Sequence, residues 1–125
     1  MTNNILKYID EQLTKASINY EFGEWTADLV YPYFVGEYTE PNVNQESGEH
    51  EIDFILNGFS RGDNSILALE NARETIEQLF TFNTSILANG SGIDVSYSGS
   101  FPIQTEDSEL KRIQINLKIK EWKVN

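Results

Sequence analysis

The side chains able to do chemistry are few in kind. His50 is the single histidine, and it stands between Glu49 and Glu51 in a polar stretch. A metal site would need convergent ligands and a general base an orienting partner; one exposed histidine supplies neither. Serines are numerous, but no G-x-S-x-G elbow occurs and a triad would have only that histidine to draw on. The chain contains no cysteine, which removes disulfides, thiolate metal sites and thiol nucleophiles. Carboxylates are abundant, with 20 Asp and Glu. Glu37 and Asp53, if they face each other across a hairpin, have the residue types for glycoside hydrolysis. In so acidic a chain such pairs arise on any solvated face. No catalytic residue, metal or cofactor is assigned, and the expectation is a protein that is not an enzyme.

Short motifs add little. Arg61-Gly62-Asp63 spells an integrin-binding tripeptide, but it falls between a strand and a helix, where Gly turns the chain and Asp63 or Asn64 caps the helix. Asn83-Thr84-Ser85 and Asn89-Gly90-Ser91 match the glycosylation acceptor pattern. The amino-terminal residues have no basic region leading into an apolar one, so a secretory route is not expected.

Periodicity defines the elements that carry these residues. Residues 111–124, KRIQINLKIKEWKV, place Ile113, Ile115, Leu117 and Ile119 on one parity and Arg112, Gln114, Asn116, Lys118 and Lys120 on the other, the period-two pattern of a half-buried strand. Burying the four aliphatic side chains contributes about 6 to 12 kcal/mol at about 1.5 to 3 kcal/mol each. Residues 4–16 read as an amphipathic helix with Ile5, Leu6, Ile9 and Leu13 on its apolar side and Asn3 or Asn4 as cap. Residues 18–22 alternate as a short strand. Pro32 suits the start or edge of a strand whose body is 33–38, and with 50–59 this predicts a hairpin with a long polar tip at 40–51. Residues 65–82 form a second helix with Leu69, Ala72, Ile76, Leu79 and Phe80 inward and an Arg73–Glu77 pair outward. A further hairpin joins 85–88 to 93–97 through Asn89-Gly90-Ser91-Gly92. Residues 98–109 read as a connection.

The expected fold is α+β: one domain over residues 1–125, a largely antiparallel β-sheet packed with two amphipathic α-helices, with a long polar-tipped β-hairpin. The composition sets further bounds. At 125 residues and a net charge of −11, the chain repels a phosphate backbone rather than gathering it. No apolar run approaches membrane-spanning length. Within this acidic chain, five of nine basic residues lie in 111–124. Outward Arg112, Lys118 and Lys120 either pair with carboxylates on neighbouring strands or meet an acidic face of another copy.

The run YPYFVGEYTEP (31–41), followed after a polar gap by EIDFILNGFSRGDN (51–64), a helix and a closing alternating strand, resembles the small neck and tail-completion proteins of long-tailed bacteriophages and their prophage relatives. That resemblance implies an α+β subunit that forms a homo-oligomeric ring, commonly hexameric, capping the tail tube or joining it to the head connector. It implies no catalytic site, no membrane, and DNA that passes without specific binding. It places the protein in the host bacterial cytoplasm during assembly and then in the virion neck or tail. The implied contact region comprises Tyr33, Phe34, Gly36, Glu37, Tyr38, Thr39, Glu40, Phe59, Arg61 and Gly62, to which the charge argument adds Lys118 and Lys120. Glu40, Glu46, Glu49 and Glu51 are candidates for an acidic lumen or a mobile loop. The alternative is a small intracellular α+β module that binds a ligand or peptide in a pocket between sheet and helices lined by Trp25, Tyr31 and Phe54.

Overall fold

The computed structural model describes residues 3–40, 49–81 and 83–122. In chain order these form α1 (Asn3–Lys15), β1 (Tyr20–Phe22), β2 (Tyr33–Thr39), β3 (Glu49–Arg61), α2 (Ser65–Leu79), β4 (Asn83–Ile86), β5 (Gly92–Ile103) and β6 (Leu110–Trp122). They make one six-stranded sheet in the order β1-β2-β3-β6-β5-β4. Every pairing is antiparallel except the β1–β2 edge, which is parallel. The architecture is α+β.

β6 lies at the centre, paired along its length with β3 on one side and β5 on the other. Its Ile115, Leu117 and Ile119 are buried to 1% exposure or less, as alternation requires when one face is covered. They join Ile52, Phe54 and Leu56 of β3 and Ile93 and Val95 of β5 in a core closed by Ile5, Ile9 and Leu13 of α1 and Leu69, Ala72 and Ile76 of α2. Both helices thus cover the same face of the sheet. The Tyr8 hydroxyl donates to Asn83 Oδ1, and Asn83 Nδ2 donates to the Leu79 carbonyl at 3.1 Å. These bonds tie α1, β4 and the end of α2 together.

Several sequence expectations change in detail. Asn3 and Asn4 lie inside α1 rather than capping it. Asn64 occupies the N-cap position of α2, but its backbone is left-handed and its side chain makes no cap hydrogen bond; Gly62, at φ +91°, supplies the turn before it. α2 ends at Leu79. Residues 98–103, read as a connection because of Gly99 and Pro102, continue β5 past an irregularity between Tyr97 and Gly99. Glu49, assigned to the polar tip, already belongs to β3, and His50 and Glu51, where the expected tip and strand overlap, belong to the strand. Residues 41–48, including Glu46, lie outside the described residues.

Candidate interaction surface

Since both helices sit on one face, the other face of the sheet carries the outward parity of every strand. Register sets its rows. Tyr33, Phe59, Arg112 and Ile103 lie side by side across β2, β3, β6 and β5, as do Val35, Asn57, Gln114 and Phe101. Farther along, Thr39, Asp53, Lys118 and Ser96 form one row, and Glu51, Lys120 and Asp94 the next.

One end of this face is aromatic. Tyr33 and Phe59 stack with ring centroids 5.1 Å apart, Trp25 lies 5.0 Å from Tyr33, and Tyr31 lies 5.7 Å from it. The Arg112 guanidinium covers the Phe59 ring at 5.5 Å, within the reach of a cation–π attraction. Its Nη2 donates to Asn57 Oδ1 at 2.8 Å, and Asn57 Nδ2 donates to Glu37 Oε1 at 3.4 Å. Arg112 Nε is buried with no hydrogen-bond partner among the described residues. A shallow depression of about 440 Å³ lies here, lined by Trp25, Tyr33, Glu37, Asn57, Phe59 and Arg112. Burial pushes the Tyr33 phenol up, and neighbouring Tyr31 adds to the rise while Arg61 opposes it.

At the rim, Arg61 pairs with Asp107 at 2.8 Å, joining the end of β3 to the β5–β6 turn. The Glu109 backbone N–H and then the Arg61 guanidinium donate to the Asp107 carboxylate and hold it below the usual range. The other end of the face is a band of alternating charge. Lys118 pairs with Glu51 at 3.2 Å, both groups near half exposure. Lys120 stands in register between Glu51 and Asp94. Cross-strand pairing therefore accounts for one of the two outward lysines within a single copy.

The sequence-derived contact residues divide by parity. Tyr33, Glu37, Thr39, Phe59, Arg61, Lys118 and Lys120 share the open face or its rim. Phe34 does not reach the surface: its parity faces the helices, it is 0% exposed, and Gly58 opposite leaves the space its ring fills. Tyr38 is on the helix side but beyond the helices, stacked on exposed Phe22 at 5.9 Å. Glu40 follows β2 and is exposed. Glu51 is not part of a loop, since it sits on β3 and is ion-paired, and Glu49 occupies the first position of that strand.

The imagined pocket of Trp25, Tyr31 and Phe54 does not form. The first two stand on the open face and Phe54 is in the core on the other. Glu37 and Asp53 are not directly opposed, because Glu37 registers with Ile55 and Asp53 with Thr39. His50 is a strand residue in register with Glu121. Glu121 is buried on the helix side, its Oε2 without a hydrogen-bond partner among the described residues. Among those residues no group of three His, Asp or Glu side chains is placed to hold a metal ion, and no helix is long and apolar enough to cross a membrane.

The Arg112–Phe59–Asn57 cluster was missed at the level of sequence, although alternation already put Asn57 and Arg112 outward; what was lacking was the register that brings them together. Parity continued past Ile119 also places Glu121 inward.

No family model matches the chain, and no curated protein sequence matches it. A solved structure of a protein with no functional name superposes with a TM-score of 0.74 over 100% of this chain and 99% of its own, at 11% sequence identity. That likeness concerns the fold.

Proposed function

We propose that the chain is a structural subunit of a ring that terminates the tail tube or joins it to the head connector in a long-tailed phage or prophage. The observation that carries this reading is the sheet face that neither helix covers. Tyr31, Tyr33, Phe59, Trp25 and Arg112 cluster there, the residue types that dominate the energetics of protein–protein contacts. A band of both charge signs beside them gives a second surface something to register against. The resemblance of 31–41 and 51–64 to neck and tail-completion proteins supplies the biological setting. An acidic balance of 20 to 9 suits a ring that DNA traverses without being retained.

The test is mass by light scattering and negative-stain microscopy, on the protein alone and mixed with tail-tube or connector protein. Rings are expected, and Tyr33→Ala with Phe59→Ala should abolish them while leaving the far-UV spectrum unchanged. Lys118→Glu with Lys120→Glu should weaken assembly if the charged band meets a neighbour; unchanged assembly would leave cross-strand pairing as its role. A monomer at high concentration that binds neither partner would overturn the proposal.

The depression beside Arg112, whose Nε has no partner among the described residues, favours a second reading as a module that binds a small anionic ligand or peptide terminus. It requires a rise in melting temperature with a carboxylate or phosphate compound, lost in Arg112→Met.

A further inference from the structure

A groove of about 650 Å³ runs between the first turn of α2 and the end of the β5–β6 hairpin. Ile66, Leu69, Pro102 and Ile113 give it apolar walls, and Lys111 lines it as well. Two carboxylates also line it, but each is engaged by an arginine: Glu70 by Arg73 at 2.9 Å and Asp107 by Arg61 at 2.8 Å. Lys111 Nζ donates to the Ser108 carbonyl at 2.9 Å, a bond to a neutral group, and makes no ion pair among the described residues. The groove is thus an apolar slot with a cation, in a chain whose net charge is −11.

The same chain carries a segment of matching chemistry. In the crossover between β1 and β2, exposed Asp28 precedes Leu29 and Val30, which are 60% and 50% exposed. Single exposed aliphatics are ordinary; two in sequence on a pinned loop are less so. The loop is held by Trp25 Nε1 donating to the Asp28 carbonyl at 3.2 Å and by the Thr26 N–H donating to Glu21 Oε2 at 2.9 Å. A projection already held in shape loses little freedom when it docks.

We propose that Asp28, Leu29 and Val30 of one copy seat in the groove between α2 and the β5–β6 hairpin of a second copy, with the Asp28 carboxylate meeting Lys111. This rests on the assembly reading and adds a second contact between copies to the one at the open sheet face. Projection and groove belong to different parts of the sheet, the β1–β2 side and the β5–β6 side. The contact joins unlike surfaces and propagates head to tail, closing into a ring when the rotation permits.

A cysteine-free chain allows a direct test. Val30→Cys combined with Ile66→Cys, oxidised and run without reductant, should give a ladder of covalent multimers, while either single variant gives none beyond a dimer. Leu29→Asp with Val30→Asp should weaken association at least tenfold, about 1.4 kcal/mol, with the thermal melt unchanged because both side chains are exposed. Lys111→Glu should weaken it similarly, and adding Asp28→Lys should restore it. If the wild type forms rings but the variants associate unchanged and no ladder appears, this contact is overturned and the assembly reading stands. A covalent dimer as the sole product of the double cysteine variant overturns the head-to-tail geometry. A wild type that stays monomeric, alone and with tail-tube or connector protein, overturns both.

Discussion

Gly58→Ala is the substitution whose consequence the packing specifies most closely. A methyl there would lie 2.8 and 2.9 Å from two Phe34 ring atoms and closer still to a third, well inside ordinary van der Waals contact. Phe34 is held against moving aside, since it is 0% exposed in the core and its strand is paired on both sides. Overpacking of this kind costs about 1 to 3 kcal/mol. The closeness of three contacts places the expectation at about 2 to 3 kcal/mol, partly offset by about 0.4 to 1 kcal/mol from restricting the unfolded chain. For a domain of this size each kcal/mol moves the melting temperature by about 3 to 5 °C, so a net loss of about 1 to 2.5 kcal/mol predicts a fall of about 3 to 12 °C. The assay is calorimetric or spectroscopic melting of Gly58→Ala, Phe34→Leu and the double variant. Relief of the clash should appear as a coupling of at least about 1 kcal/mol. Gly92→Ala is the control: its methyl would lie 2.6 Å from one Trp122 ring atom and nearer two others. Trp122 is half-buried on the open face and can turn outward, so a cost below about 1 kcal/mol is expected. A Gly58→Ala protein melting within about 2 °C of wild type, with no coupling to Phe34→Leu, would refute the account of a rigid ring closed over glycine.

Titratable groups supply two further expected outcomes. Burial, and then the charge of Asp10, raise the Tyr20 phenol pKa in the folded protein, so its contribution to stability is full below about pH 10, where the unfolded phenol titrates. It should decline as pH rises further; Tyr20→Phe should flatten that alkaline limb in urea titrations, and an unchanged limb would refute the assignment. Asp107 is held low by the Glu109 N–H and Arg61, so its contribution is present above the ordinary aspartate value and lost as pH falls through the lowered one. Asp107→Asn should therefore reduce stability at neutral pH relative to wild type and narrow the gap between the two in acid melts below about pH 4.

Alternation made the core strands legible. Ile113, Ile115, Leu117 and Ile119 declare one buried face, and the same reasoning at Ile52, Phe54 and Leu56 paired β2 with β3 correctly because the hydrophobic pattern penalises a one-residue slip. Helical spacing did the same for Ile5, Ile9 and Leu13. Where local chemistry competes with tertiary pairing, the sequence misleads. Gly99 and Pro102 are poor strand residues, yet Arg112 to Asn116 of β6 supply a partner for each position from Ile103 back to Gly99 and so carry β5 to Ile103. The open face was only partly legible for a different reason. Outward parity identifies its residues one strand at a time, but Arg112 meets Phe59 and Asn57 through strand order, with β6 beside β3 although 48 residues separate Arg61 from Leu110 in sequence. Trp25 and Tyr31 arrive from a loop with no period at all.

Among the described residues β4 pairs with only 92–95 of β5, so there the far stretch of β5 beyond the Tyr97 N–H bond to the Phe80 carbonyl ends the sheet on that side. An unpaired edge invites a foreign strand to add and then a further one, the route by which sheets grow into fibrils. Gly99, at φ +130°, breaks the flat run of backbone groups, and Pro102 removes a donor from it. The two residues that disguise this segment as a loop in the sequence thus serve as gatekeepers. They matter most in a protein made at high local concentration, where the line between ordered association and fibrous precipitate is a single continuous strand edge.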